Sequence, residues 1–392
     1  MIKPGERAYV YAKACDIIGK SFVGKRIAGL EAVSRLSELD RLIFPKSYRD
    51  MPEKDLLLDL ERRIMERTAD QILRIVNSFS RPPEFLRRLL LSYEYRDLKR
   101  VLAALAGRER EAPDHTDLGR FTQVRFGAWP DLPAMLRNTE FSFLLEELRG
   151  GDLAAALAGR SIALQTKLDI HYYTKLWEAL FELPLRDRVE SGKILEEEIA
   201  LRNALWVLRL RTYYQMEGEE ARGYLVRIDM RKGGRHYIPP RLLLRQKNRP
   251  PGSSLVGIDR ATVNTVRRHQ RSRHILWQSQ KYRSLTEDAE AALELPLDHY
   301  EPWQSWSRSG FLNREEPGRH WRLDPRHFQN AASEYLYNLA RVSFHHRPFS
   351  LDATVCFIKL KQFEEDLLTS MAEGLSLGLR SRDVLDMLEA PS

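Results

Sequence analysis

KILEEEIALRNALWVLRLRTYY, residues 193–214, holds neither Gly nor Pro. Ile194, Leu195, Ile199, Leu201, Leu205, Trp206, Leu208 and Leu210 recur at steps of three and four, the period of an α-helix. The apolar stripe is wider than a surface helix needs, so a helix buried between neighbours is expected. Its middle carries a basic residue followed by a small one, Arg202–Asn203. The same kind of pair stands at Lys13–Ala14, Arg96–Asp97 and Lys361–Gln362, each time among apolar residues at helical spacing. Four such stretches suggest one helical unit reused, and an Arg-rich helical chain can also produce such pairs by chance.

Working outward, the same signal dominates the chain. Residues 6–22 read as a first helix and 36–44 as a short one. Pro52 opens a long helix with Leu56, Leu57, Leu60, Ile64, Ile72, Ile75 and Val76 on its buried side. Pro82–Pro83 break it, and residues 84–105 restart it, because proline is tolerated where a helix begins. A helix is expected over 134–145, another over 152–157, and a longer one over 164–183 that Pro184 ends. Residues 328–344 and 352–377 form a third hairpin, followed by a short helix over 382–389. Between the second and third hairpins the character changes. Residues 224–228 and 235–238 read as possible short strands, 261–283 as a polar, basic helix. Trp303, Trp306 and Trp321 lie in a Pro- and Gly-interrupted stretch with no clear period. The unequal intervals argue against a regular solenoid and for an all-α body of similar lobes.

Composition sets further bounds. The 392 residues, 43% of them hydrophobic, can hold one large or two to three small domains with a real core. Two cysteines, Cys15 and Cys356, make neither a disulfide framework nor a four-ligand zinc site. Both fall in predicted helices, so reduced, buried thiols and a cytoplasmic setting are expected. No apolar run reaches the roughly 18 residues of a membrane span, and the opening residues show no secretory h-region. Residues 227–283 carry 15 Lys/Arg against two acids, a net +13, which leaves −5 for the rest of a chain whose total is +8. Three readings of this basic stretch stand open: a solvated insertion, a surface facing a partner or anionic headgroups, or a nucleic-acid contact. Tyr237, Trp277 and Tyr282 are too scattered for a base-stacking platform.

Few residues fall into patterns that carry chemistry. Gly19–Lys20–Ser21 resembles the end of a phosphate-binding loop, but Ala14 stands where the first Gly belongs and the stretch continues a helix. His345–His346 are adjacent and cannot share a helix face as two metal ligands would. Glu196–Glu197–Glu198 and Glu364–Glu365–Asp366 read as charge partners for nearby Arg, or as helix-dipole complements. No nucleophile motif occurs. No catalytic, cofactor-binding or metal-binding residue is nominated, and no cofactor is expected.

AYVYAKACDIIGKSFVGKR near the start, SYEYRDLKRVL after the Pro-Pro break, EEIALRNALWVLRLRTYY and the closing CFIKLKQFEEDLLTSMAEGLSLG together resemble the C-type stalk-subunit family of rotary V-type ATPases and ATP synthases, which includes the d-type subunit of the eukaryotic vacuolar enzymes. The resemblance covers residues 1–216 and 325–389. It implies an all-α fold of three pseudo-threefold-related hairpin lobes forming a funnel, with an irregular basic insertion. The corresponding division is 1–125 (N-terminal helix and first lobe), 126–217 (second lobe), 218–324 (insertion) and 325–392 (third lobe). It implies a non-catalytic central-stalk component, cytoplasmic and peripheral at the membrane. Its partners would be the central-shaft subunits of the soluble head and the membrane ring of ion-carrying subunits. Asp97, Asn203 and Gln362 would either line such a funnel or pair within the body. The rival is a cytosolic helical-repeat protein that holds nucleic acid through the basic insertion, with binding that falls steeply with salt.

Overall fold

A computed structural model of the chain describes residues 4–148, 153–227, 285–315, 318 and 320–388. Every regular element among them is helical. The chain divides into two compact units: unit 1 comprises Met1–Tyr172 and Gln329–Ser392, and unit 2 comprises Tyr173–Phe328.

Unit 1 begins with α1 (Pro4–Gly19), a 3-10 turn at Gly24–Leu30 and α2 (Leu36–Ile43). The first hairpin is α3 (Glu53–Val76) and α4 (Glu84–Ala106). Proline sets its punctuation. Pro52 and Pro83 sit just ahead of the two helices at φ −55°, ψ 143° and φ −54°, ψ 144°. A residue held extended there cannot continue a helix, yet its carbonyl can start one. Acids follow in the first turn, Glu53 and Asp55 in α3 and Glu84 in α4, where the helix dipole favours them.

The helix expected over 134–145 is two short ones, α5 (Leu132–Leu136) and α6 (Phe143–Glu147). Asn138 between them takes a left-handed φ of 61°, a conformation Asn tolerates better than most residues. Then come α7 (Leu153–Gly159) and α8 (Ser161–Glu182), which runs from unit 1 into unit 2. After the second unit the chain returns through α12 (Pro325–His346) to α13 (Leu351–Ser376) and α14 (Ser381–Met387).

The core of unit 1 is α13. Cys356, Phe357, Ile358, Met371 and Ala372 are fully buried, and α13 packs against α1, α2, α3 and α14. Tyr337 of α12 lies 4.3 Å, centroid to centroid, from Phe363 of α13. The helix ends where Gly378 takes φ 78°, while the N–H of Leu379 donates to the Gly374 carbonyl at 3.0 Å.

In unit 2, α9 (Leu185–Tyr213) starts eight residues before the quoted stretch, directly after Pro184 at φ −53°, ψ 145°. Ser191 and Gly192 are buried inside the helix. Ile194, Leu195, Ile199, Leu201, Leu208 and Leu210 are buried as the period predicts, while Leu205 and Trp206 are half-exposed. Against α9 pack α10 (Gly218–Arg222) and α11 (Glu287–Ala292). The tryptophan stretch is a second core. Trp303 meets Trp306 edge-on at 5.2 Å and lies 6.5 Å from Trp321, while Trp306 and Phe311 flank Phe328.

The expected strand at 224–228 is absent over its described part, 224–227. Val226 spends its backbone groups on a side chain of α9 instead of a neighbouring strand. The strand at 235–238, the helix at 261–283 and nearly all of the basic stretch lie outside the described residues.

Candidate functional site

Among the described residues there is no group of three or more His, Cys, Asp or Glu placed to hold a metal ion. One open cavity of about 380 Å³, in unit 2, is lined by Thr212, Arg322, Asp324 and Arg326. Asp324 already caps the start of α12 there, accepting from the Arg326 N–H at 2.9 Å. A second, of about 500 Å³, is bordered by Arg211, which is committed to the carbonyls of Ala292 and Leu295 at 2.7 and 2.6 Å. Neither gathers the acid, base and nucleophile that a reaction requires.

What the molecule does gather is buried polar side chains that fasten irregular chain to long helices. Asp97 of α4 is 1% exposed and accepts from the Thr116 N–H at 2.7 Å. Burial pushes its carboxyl up, and the Thr116 N–H and then Arg100 oppose that. Glu94, one turn earlier, accepts from the N–H groups of Gln123 and Val124 at 2.5 and 2.7 Å.

In α13, Glu364 accepts from the Phe22 N–H at 2.8 Å and pairs with Lys361, whose Nζ also reaches Ser21 Oγ at 2.9 Å. Burial lowers the Lys361 pKa, and Glu364 opposes that shift. Next to them Glu365 accepts from Tyr93 at 2.8 Å and pairs with Arg96 at 2.6 Å. Burial raises its pKa and Arg96 restrains the rise.

Unit 2 repeats the device with an amide. Asn203 of α9, 1% exposed, accepts from the Val226 N–H at 2.8 Å and donates to the carbonyls of Val226 and Leu285 at 3.1 and 2.8 Å. The residues just before and just after the 228–284 stretch therefore meet on one side chain. Arg308 holds Glu197 of α9 and Asp288 of α11 at 3.0 and 2.8 Å. Buried pairings of this kind fix one packing and resist slippage, because each group leaves its partner unpaired in low dielectric if it moves.

The repeated pairs of the sequence are thus half repeated in space. Asp97 and Asn203 do the same work, gripping backbone amides, and Gln362 donates to Ser92 Oγ at 3.3 Å, so all three pair within the body. Their basic neighbours diverge. Lys13 donates to Ser78 Oγ at 3.0 Å, Arg96 pairs with Glu365, and Arg202 lies over the Tyr173 ring at 5.2 Å.

Glu196, Glu197, Glu364 and Glu365 are buried; of the expected pairings with Arg, Glu365 meets Arg96 and Glu197 meets Arg308. Lys20 pairs with Asp16 at a helix end, and His345 and His346 sit exposed in the last turn of α12. The sequence marks Glu94 and Glu364 in one way: each fills a step of an apolar stripe, Leu90–Glu94–Leu98 and Leu360–Glu364–Leu368.

The comparisons with known proteins agree with this picture. An uncharacterized protein of Treponema pallidum (strain Nichols) is 25% identical over 370 residues, which span 94% of this chain and 92% of the relative. It carries the likeness through both the helical hairpins and the stretch between them, but its name adds no activity. A family model for the ATP synthase (C/AC39) subunit matches residues 35–231, just over half of the 392. That match takes in both buried grips found on α4 and α9. The chain belongs to the ATP synthase (C/AC39) subunit family of V-type rotary ATPases.

Proposed function

We propose that this chain is the non-catalytic central-stalk component of a V-type ATPase or ATP synthase, passing rotation between the central shaft of the soluble head and the membrane ring of ion-carrying subunits during proton or sodium transport. The observation that carries this reading is the family match over residues 35–231. The all-helical body with its buried side-chain grips supports it. A part that transmits torque must not slip or shear, and the grips on Thr116, Val226 and Phe22 stiffen it at the joins between helix and irregular chain.

In this reading the three hairpins are related lobes around a pseudo-threefold axis, divided as 1–125, 126–217 and 325–392. They close into a funnel that receives the shaft tip, with 218–324 outside the repeat. The chain works on the cytoplasmic side, peripheral to the membrane. Its interfaces belong to the large, long-lived class, about 2,000 Å² or more in total. Among the described residues no helix is long and apolar enough to cross a membrane, so contact with the bilayer would run through the ring.

The test is isolation of the complex in mild detergent through a tag on this chain. Shaft and ring subunits are expected in stoichiometric amounts, and the purified chain alone is expected to hydrolyse no ATP. Turnover by the chain alone, or a detergent extract in which it never accompanies those subunits, would overturn the assignment.

A further inference from the structure

Three carboxyl groups stand together in unit 1, and only two have a cation among the described residues. Asp97 pairs with Arg100, and Glu140 pairs with Arg88. Glu94 is 1% exposed and its Oε1 takes the N–H groups of Gln123 and Val124, while its Oε2 is buried with no hydrogen-bond partner among the described residues. Gln123 spans the two acids: its backbone N–H goes to Glu94, and its Nε2 donates to Glu140 Oε1 at 3.1 Å.

The charged and titratable groups around Glu94 are therefore Asp97, Arg100 and Arg88 on its own helix, and Glu140, the partner of Arg88, from the stretch between α5 and α6. Tyr95 lies one bond further out, its hydroxyl 3.4 Å from Glu140 and 2.7 Å from His171 Nδ1 of α8. From the 119–128 segment Glu94 receives backbone N–H donors.

A third carboxylate charge in this place would have neither water nor a cation to balance it. We propose that Glu94 is a proton-held clasp: as the neutral acid it fastens the 119–128 segment to α4, and loss of its proton frees that segment to open. The proton belongs on Oε2, since two N–H donors already occupy Oε1.

Burial is the main cause that pushes the Glu94 pKa to about 7, with the Gln123 and Val124 amides opposing it and Glu140 and Asp97 adding to it. The sign follows from linkage. A carboxyl whose folded-state pKa lies above its value in water binds its proton more tightly when closed. Its stabilisation is complete below about 4.5 and is lost as pH rises through about 7. The inference concerns the chain by itself, so it stands or falls apart from the assignment to a rotary complex.

The experiment is amide hydrogen exchange on the full chain at pH 6 and pH 8, corrected for intrinsic exchange, read on peptides covering 119–128. Protection in the wild-type chain is expected to drop about tenfold between the two pH values, from the shift of one proton-binding site. In Glu94→Gln, which keeps an acceptor oxygen and cannot ionise, protection is expected to stay level. An equal tenfold drop in Glu94→Gln, or no drop in the wild-type chain, overturns the clasp. If Glu94→Gln does not fold, Glu140→Gln serves: removing the neighbouring charge must move the drop to lower pH, and an unmoved drop is equally fatal.

Discussion

At the scale of single residues, the molecule is held by polar side chains where the pattern of the sequence leads one to expect leucine. Asn203 is the plainest case. Replacing it with Ala leaves one N–H and two carbonyls without partners in a buried place. A loss of about 3 kcal/mol is expected from urea unfolding, because the desolvated backbone groups have nowhere to turn. Lys361 is a sharper test, being 1% exposed and paired with Glu364. Lys361→Met leaves the buried Glu364 carboxylate only the more distant Arg67, at 3.8 Å, and is expected to destabilise unit 1 by about 3 kcal/mol. The double variant Lys361→Met/Glu364→Gln should recover most of that loss, since Gln still accepts from the Phe22 N–H and the one cation that loses its partner, Arg67, is part-exposed and keeps water around it. A double variant as weak as the single one would show that packing, not charge, sets the loss. Such residues were only partly legible. The sequence offered Asp97 and Asn203 as polar members of a repeated pair, but that each grips a backbone amide some twenty residues away is a long-range fact.

At the scale of elements, the helices were read well because their stops are local. Pro52, Pro83 and Pro184 each fix the residue ahead of a helix at nearly the same backbone angles, and no tertiary contact is needed to produce that. The stretch after α4 was read poorly, because a left-handed Asn138 divides what periodicity joins. The junction of α13 and α14 supplies an element-scale prediction. A Cβ on Gly374 would fall 2.4 Å from Val384 Cγ2, so α14 lies against α13 by virtue of a missing side chain. Gly374→Ala is expected to lower stability by about 1 kcal/mol, overpacking outweighing the gain in helix propensity. In a Val384→Ala background the same change should raise stability by about 1 kcal/mol, because propensity then acts unopposed. Thermal unfolding of the four proteins checks the change of sign.

At the scale of the whole molecule, unit 1 is built from both ends of the chain, with α13 at its centre. A chain ending at residue 324 lacks α12 and α13 and so exposes the apolar faces of α1, α2 and α3. It is expected to lose protease resistance over residues 4–172, whereas survival of that region would show an N-terminal unit able to fold alone. The 228–284 stretch predicts the opposite. Val226 and Leu285 meet on Asn203, so joining residues 227 and 285 through a short Gly-Ser linker should leave the unfolding of unit 2 within about 1 kcal/mol of the parent. If the shortened chain also keeps its place in the rotary complex, the basic stretch serves something other than assembly.

By itself the sequence determined that this is a mostly helical chain, that prolines stand where several of its long helices start, and that it shares the pattern of a family of rotary-motor components. Those properties are carried by period and by local backbone chemistry, which neighbours along the chain decide. Only the tertiary structure decided that the tryptophan stretch is a core, and that Glu94 and Glu364 are buried. It also decided that the chain closes into two units, one of them made from its two ends. The physical reason is that burial of a polar group depends on which distant amide or cation arrives to meet it, and nothing in the local pattern records that arrival.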